Sequence, residues 1–174
     1  MPAGATYDSI ATTTLGSATS TIDFTSISSA YTDLVLILSW RGGNADQPSL
    51  LVRLNNSTAQ LYSNTGLTGS GSGNGTSRRA SIAINGNDYM AIPRDAGQPT
   101  TIGGMATVII NFMNYSNTNI FKTVIGRGSS AQSGVEATVG LWHSTNAVNQ
   151  ITISGNTNAF GVGTVATLYG IKAA

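Results

Sequence analysis

The chain has 174 residues, no cysteine, 9 % charged side chains and a formal net charge of +1. One domain of that length can bury roughly two-thirds of its unfolded surface, so neither a disulfide framework nor a thiolate metal site is needed, and without cysteine neither can form. No basic run extends beyond Arg78-Arg79, so the positive footprint of a nucleic-acid binder is missing.

The amino terminus lacks a basic segment followed by an apolar stretch, and no apolar run approaches the length of a membrane span. The expectation is a protein made and assembled in a cytoplasm, with no membrane partner. The polar surface is dominated by Ser, Thr, Asn and Gly, which bind through hydrogen bonds and shape.

In chain order, residues 1–15 read as an amino-terminal arm. Short β-branched or aromatic runs then predict strands near 20–24, 31–40, 50–54, 81–84, 89–92, 105–113, 120–125, 135–142, 148–153 and 164–171. No window sustains the three-and-four spacing of an amphipathic helix. Within 31–40, Leu34 to Leu38 is apolar without alternation, which predicts a strand covered on both faces, in the sandwich or at a subunit contact.

Residues 65–78 hold Gly66, Gly69, Gly71, Gly73 and Gly75 among Ser, Thr and Asn, and predict a flexible, Gly-rich loop because glycine loses the most backbone entropy on ordering. Asn85-Gly86, between two apolar runs, suits a tight hairpin turn. Nothing marks a second domain, so the whole of 1–174 reads as one all-β, antiparallel, jelly-roll-like sandwich.

Catalytic equipment is sparse. The single histidine, His143, follows Trp142 at a strand end and has no nucleophile-elbow serine to work with, so it reads as a strand-end or interface residue. A carboxylate pair for sugar cleavage would have to come from Glu136, Asp8, Asp23, Asp33, Asp46, Asp88 and Asp95, several of which sit where Asp usually bonds local backbone. The glycine-rich stretch is not followed by the Lys-Ser/Thr and helix of a phosphate loop. Asn85-Gly86-Asn87-Asp88 lacks the spaced acidic ligands of a calcium loop. The expectation is a non-enzymatic protein with no metal and no cofactor.

Partner contact is the alternative use of the distinctive residues. Arg78 and Arg79 could clamp carboxylates bidentately or stand as a solvated pair, and Trp40, Arg41 and Trp142 are the other contact candidates, although strand-end tryptophans are more often core pieces with the indole N–H turned to a polar partner. Tyr62, Tyr89, Tyr115 and Trp142 lie near predicted loops where rings could stack on sugars, which keeps a glycan partner open.

Three stretches carry a resemblance. Ile22-Asp23-Phe24-Thr25-Ser26-Ile27-Ser28-Ser29-Ala30-Tyr31-Thr32-Asp33-Leu34 resembles the opening of small structural proteins of tailed bacteriophages, written F-x-x-I-P-x-x-Y-x-x-L, with Ser28 in place of Pro. Arg53-Leu54-Asn55 with Leu61-Tyr62-Ser63 is similar to their middle, with Leu54 in place of Phe, and Thr167-Leu168-Tyr169-Gly170-Ile171-Lys172 is similar to their ending.

The resemblance implies a multimeric jelly-roll-like sandwich displayed on a capsid or tail, and it transfers no catalytic residue. The leading expectation is a capsid decoration or cement protein of the virion, a homo-oligomer with a trimer favoured, that binds the major capsid protein or other virion proteins. A tail fibre or receptor-binding domain for host glycan is the alternative, and a polysaccharide-cleaving enzyme the remote one.

Overall fold

A computed structural model describes residues 6–43, 49–79, 89–92, 99–155 and 159–172, with the side chains of 77–79 outside that description. The described residues contain no helix. They form an all-β sandwich of two antiparallel sheets.

The large sheet has eight strands: β1 (Tyr7–Thr14), β3 (Asp33–Arg41), β5 (Tyr62–Gly69), β6 (Asn74–Arg79), β8 (Met105–Met113), β9 (Lys122–Ser130), β10 (Gly134–Trp142) and β12 (Val165–Ile171). The small sheet has four: β2 (Thr21–Phe24), β4 (Leu51–Leu54), β7 (Met90–Ala91) and β11 (Ile151–Ser154). Their spatial orders are β1-β12-β3-β8-β9-β10-β5-β6 and β2-β11-β4-β7.

Alternation explains the core. In β3 the side chains of Leu34, Leu36, Leu38 and Trp40 point inward, and in β8 those of Val108, Ile110 and Phe112 do the same. The small sheet answers with registered pairs: Ile151 lies between Phe24 and Leu54, and Ile153 between Ile22 and Val52. Burying each such aliphatic or aromatic side chain contributes about 1.5–3 kcal/mol.

Several inward positions of the large sheet are glycines, and two of them face the small sheet's edge. A Cβ at Gly126 would stand 1.9 Å from Ile92 Cγ2, and one at Gly140 would stand 2.6 Å from Met90 Sδ. The absence of side chains there lets Met90 and Ile92 seat against β9 and β10, closing the sandwich at the edge of the small sheet.

Most predicted strands appear within a few residues of their expected bounds, and three expectations change. The segment 65–78 is not a loop: it supplies most of β5 and β6, joined by a tight turn in which Ser70 N–H donates to Gly73 O at 2.9 Å and Gly71 takes a positive φ of 83°. The ladder of β5 on β10 runs from Tyr62 to Gly69 and offsets the glycine entropy that made the segment read as flexible. Within the amino-terminal arm, residues 7–14 form edge strand β1 along β12. Leu34 to Leu38 is covered on both faces only in part, because Val35 is buried and Ile37 is 38 % exposed. The Asn85-Gly86 hairpin and the strand at 81–84 lie outside the described residues.

The three stretches that carry the resemblance are structural fasteners. Phe24, Ile27 and Leu34 are core residues, and the Tyr31 ring lies over Gly170, where a Cβ would strike it. Asn55, held at a φ of 51°, accepts from Asn149 N–H at 2.9 Å and Gln150 N–H at 3.2 Å and donates to Ala147 O at 2.8 Å.

Candidate functional site

The face of the large sheet turned away from the small sheet is where the chain departs from the usual pattern. An antiparallel strand with one wet face should alternate apolar and polar side chains. In β10 the outward set is Val135, Ala137, Val139 and Leu141, and in β9 it includes Thr123, Ile125, Arg127 and Ser129. Val135, Val139 and Leu67 are 57 %, 52 % and 61 % exposed, and Ile125 45 %.

Register assembles these residues into lateral rows. Ile37 pairs with Ile109, Ile109 with Arg127, Arg127 with Ala137, and Ala137 with Leu67. The neighbouring rows run Asn111-Ile125-Val139 on one side and Thr107-Ser129-Val135 on the other. Between them lies an open groove of about 530 Å³ whose walls include Leu67, Ile109, Val135 and Ala137, with Thr107 and Ser129 hydroxyls at one end. Arg127 stands exposed in its middle and has no ion pair among the described residues.

Beneath the β10 and β5 part of this groove the inner face is polar. Glu136 and Thr138 are 2 % and 1 % exposed, and Thr138 Oγ1 donates to Glu136 Oε1 at 2.7 Å. Asn64, on β5, accepts from Ala91 N–H at 3.3 Å. Asn64 Oδ1 thereby fixes where β5 meets the strand at Met90–Ala91, while its Nδ2 is buried without a hydrogen-bond partner among the described residues.

Lys122 opens β9 and is buried at 1 % exposure. Its ammonium donates to the carbonyls of Asn117 at 2.6 Å, Ile120 at 2.8 Å and Thr145 at 3.1 Å, so it ties two end loops together. Burial pushes its pKa below the ordinary lysine range.

The contact candidates read from the sequence separate into different places. Trp40 and Trp142 are 0 % and 1 % exposed, so neither offers a surface to a partner. Trp40 Nε1 donates to Ala159 O at 2.9 Å and its ring leans on Phe160, while Trp142 stacks on Tyr62 at 6.1 Å between centroids. Their apolar area outweighs any contact value and draws them inward.

Arg41 is exposed at the end of β3. It stands beside the turns at Gly103 and Gly163, whose chain neighbours Ile102 and Val162 are also exposed. Arg78 and Arg79 are placed by their backbone on β6, the edge strand of the large sheet, and their side chains lie outside the description.

The aromatic residues suggested for sugar stacking are mostly interior. Tyr62, Tyr115 and Trp142 are at most 1 % exposed, and Tyr89 is half-buried. Nor do the acid-base candidates among the described residues converge; Asp46, Asp88 and Asp95 lie outside that description. His143 is exposed and lies 3.9 Å from the Phe121 ring. It is seven residues beyond Glu136, which at about 3.3 Å per residue is roughly 20 Å along the strand.

Asp8 pairs with Lys172 at 2.6 Å, Asp23 accepts from Thr152 Oγ1, and Asp33 accepts from Asn114 N–H at 2.6 Å. Among the described residues no group of three His, Asp or Glu side chains could hold a metal.

Arg127 and its groove escape a sequence reading that ends the strand near residue 125. The available signal was the alternation of Thr123, Ile125, Arg127 and Ser129 against Val124, Gly126, Gly128 and Ser130, which continues the strand to the turn.

No family model matches the chain, and no curated protein matches it. Among solved structures it is similar to an alginate lyase in complex with an alginate tetrasaccharide, at 11 % identity and a TM-score of 0.28 over 88 % of this chain and 82 % of that one. It is also similar to a protein of unknown function from Shewanella oneidensis MR-1, at 10 % identity and a TM-score of 0.26 over 97 % of this chain and 77 % of that one. Neither likeness bears on what this chain does.

Proposed function

We propose that this chain is a structural protein of a bacteriophage virion, a capsid decoration or cement protein on a jelly-roll-like sandwich. It is assembled in the host cytoplasm and works without turnover, by adhesion to shell proteins and to copies of itself, three in a ring. One observation carries the reading: the solvent face of the large sheet presents Ile37, Leu67, Ile125, Val135 and Val139 in adjoining registered rows. An exposed apolar area of that kind marks an interaction surface in a soluble protein.

The resemblance of the opening, middle and closing segments to tailed-phage structural proteins supports the same reading. So does a surface of hydroxyl and amide groups with few charges, which is insensitive to salt. The exposed end around Arg41, Ile102 and Val162 is a second surface available to neighbouring copies. A sugar-binding role is less well supported, because the aromatic rings that would stack on a glycan are largely in the core.

The test is image reconstruction of whole particles, with light scattering of the purified chain. Density for this chain over the capsid shell and a solution mass of three chains are expected. Density confined to the tail, or none, would refute the assignment. The Ile125→Lys/Val139→Lys double variant should fold and fail to bind particles.

A further inference from the structure

We infer that the groove of about 530 Å³ on the outer face of β8, β9, β10 and β5 docks an extended, largely aliphatic segment of a partner protein bearing one carboxylate that pairs with Arg127. This deepens the proposed adhesive role and rests on it.

Arg127 is flanked in register by Ile109 and Ala137, with Leu67 one strand further, and has no ion pair among the described residues. Elsewhere on the chain a solvated arginine is unremarkable. In the centre of an aliphatic groove its charge becomes costly once the walls are covered, unless the covering molecule supplies a carboxylate.

The described carboxylates of the chain are already engaged: Asp8 by Lys172, Asp23 by Thr152, Asp33 by Asn114 and Glu136 by Thr138 on the opposite face of the sheet. A second copy laid face to face about a twofold axis would bring one Arg127 towards another, which like-charge repulsion opposes. The charge pattern therefore fits a different chain.

The walls select the class of that chain. Leu67, Ile109, Val135 and Ala137 are aliphatic, and among the described residues no aromatic ring lines the groove to act as a sugar platform. Aliphatic side chains from an extended segment would fill it, while Arg127 grips a single Asp or Glu through a two-pronged hydrogen bond and sets the register. Thr107 and Ser129 are placed to receive polar backbone at one end.

The experiment pans a random dodecapeptide display library on the full chain, counter-selecting against Arg127→Gln, and measures enriched synthetic peptides by fluorescence anisotropy. Enriched peptides should carry one Asp or Glu among aliphatic residues and lose about tenfold or more in affinity on Arg127→Gln. Binding to Arg127→Glu should return when the acidic residue of the peptide becomes Lys. Because Arg127 is exposed, both variants should keep the parent melting temperature, and a melt of each verifies it.

Absence of enrichment, or peptides that bind Arg127→Gln equally, would overturn the inference. So would oligomannuronate or oligoguluronate binding that Arg127→Gln abolishes while no peptide is enriched, which would assign the groove to an acidic glycan. A fall in solution mass on Arg127→Glu would assign it to a second copy instead. Particles that lack this chain would end the virion reading and leave a positive peptide result intact.

Discussion

The Tyr62 hydroxyl, at the start of β5 in the large sheet, satisfies both backbone groups of Leu54 at the end of β4 in the small sheet: it accepts from Leu54 N–H at 3.1 Å and donates to Leu54 O at 3.1 Å. One side chain thus completes the ladder of an edge residue and bolts the two layers together. Tyr62→Phe keeps the ring stack on Trp142 but orphans the buried Leu54 N–H, while Leu54 O keeps its bond from Ser57 N–H at 3.0 Å, so a loss of about 1–3 kcal/mol is expected in urea unfolding. A change below a few tenths of a kcal/mol would show that water replaces the hydroxyl.

Lys122 holds the same end of the sandwich by charge. Replacing it with Met preserves the stem and abandons the carbonyls of Asn117, Ile120 and Thr145. Destabilisation of about 2–4 kcal/mol should follow, and hydrogen exchange should quicken selectively in residues 114–121 and 143–149. Uniform exchange across the sheet would contradict a local tie.

The bare positions on β9 and β10 differ in what they face. Gly126→Ala drives a methyl into the branched Ile92 side chain, and an overpacking penalty of about 1–3 kcal/mol is expected. Gly140→Ala meets the flexible Met90 thioether, which can swing aside, so its cost should be smaller. Thermal melts of the two variants side by side decide the order.

Tyr115 supplies a pH signature. Its hydroxyl donates to Ser28 O, and burial pushes its pKa above the ordinary tyrosine range. In the unfolded chain it ionises near pH 10, while the folded chain still holds the proton. Above that pH the unfolded state therefore binds fewer protons than the native state, and stability falls as pH rises. The wild type should lose stability faster than Tyr115→Phe between pH 10 and 11.5, and parallel curves would remove Tyr115 as the cause.

Arg127 and Trp40 show how far the sequence reaches and where it stops. Period-two alternation and β-branched composition determined that the chain is all-β, and they placed most strands, because a half-buried strand must alternate whatever its neighbours are. The same reading misjudged residues 65–78, since glycine content reports the entropy cost of ordering but not the ladder with β10 that offsets it. It left Trp40 and Trp142 open between partner contact and core, and their ring area draws them into the core.

What the tertiary structure alone decided is adjacency. Ile109, Arg127, Ala137 and Leu67 come from four separate strands, and only the register of those strands makes them one row. A chain specifies which residues prefer water or oil one at a time. A groove with a single charge at its centre exists only once distant segments have been brought side by side.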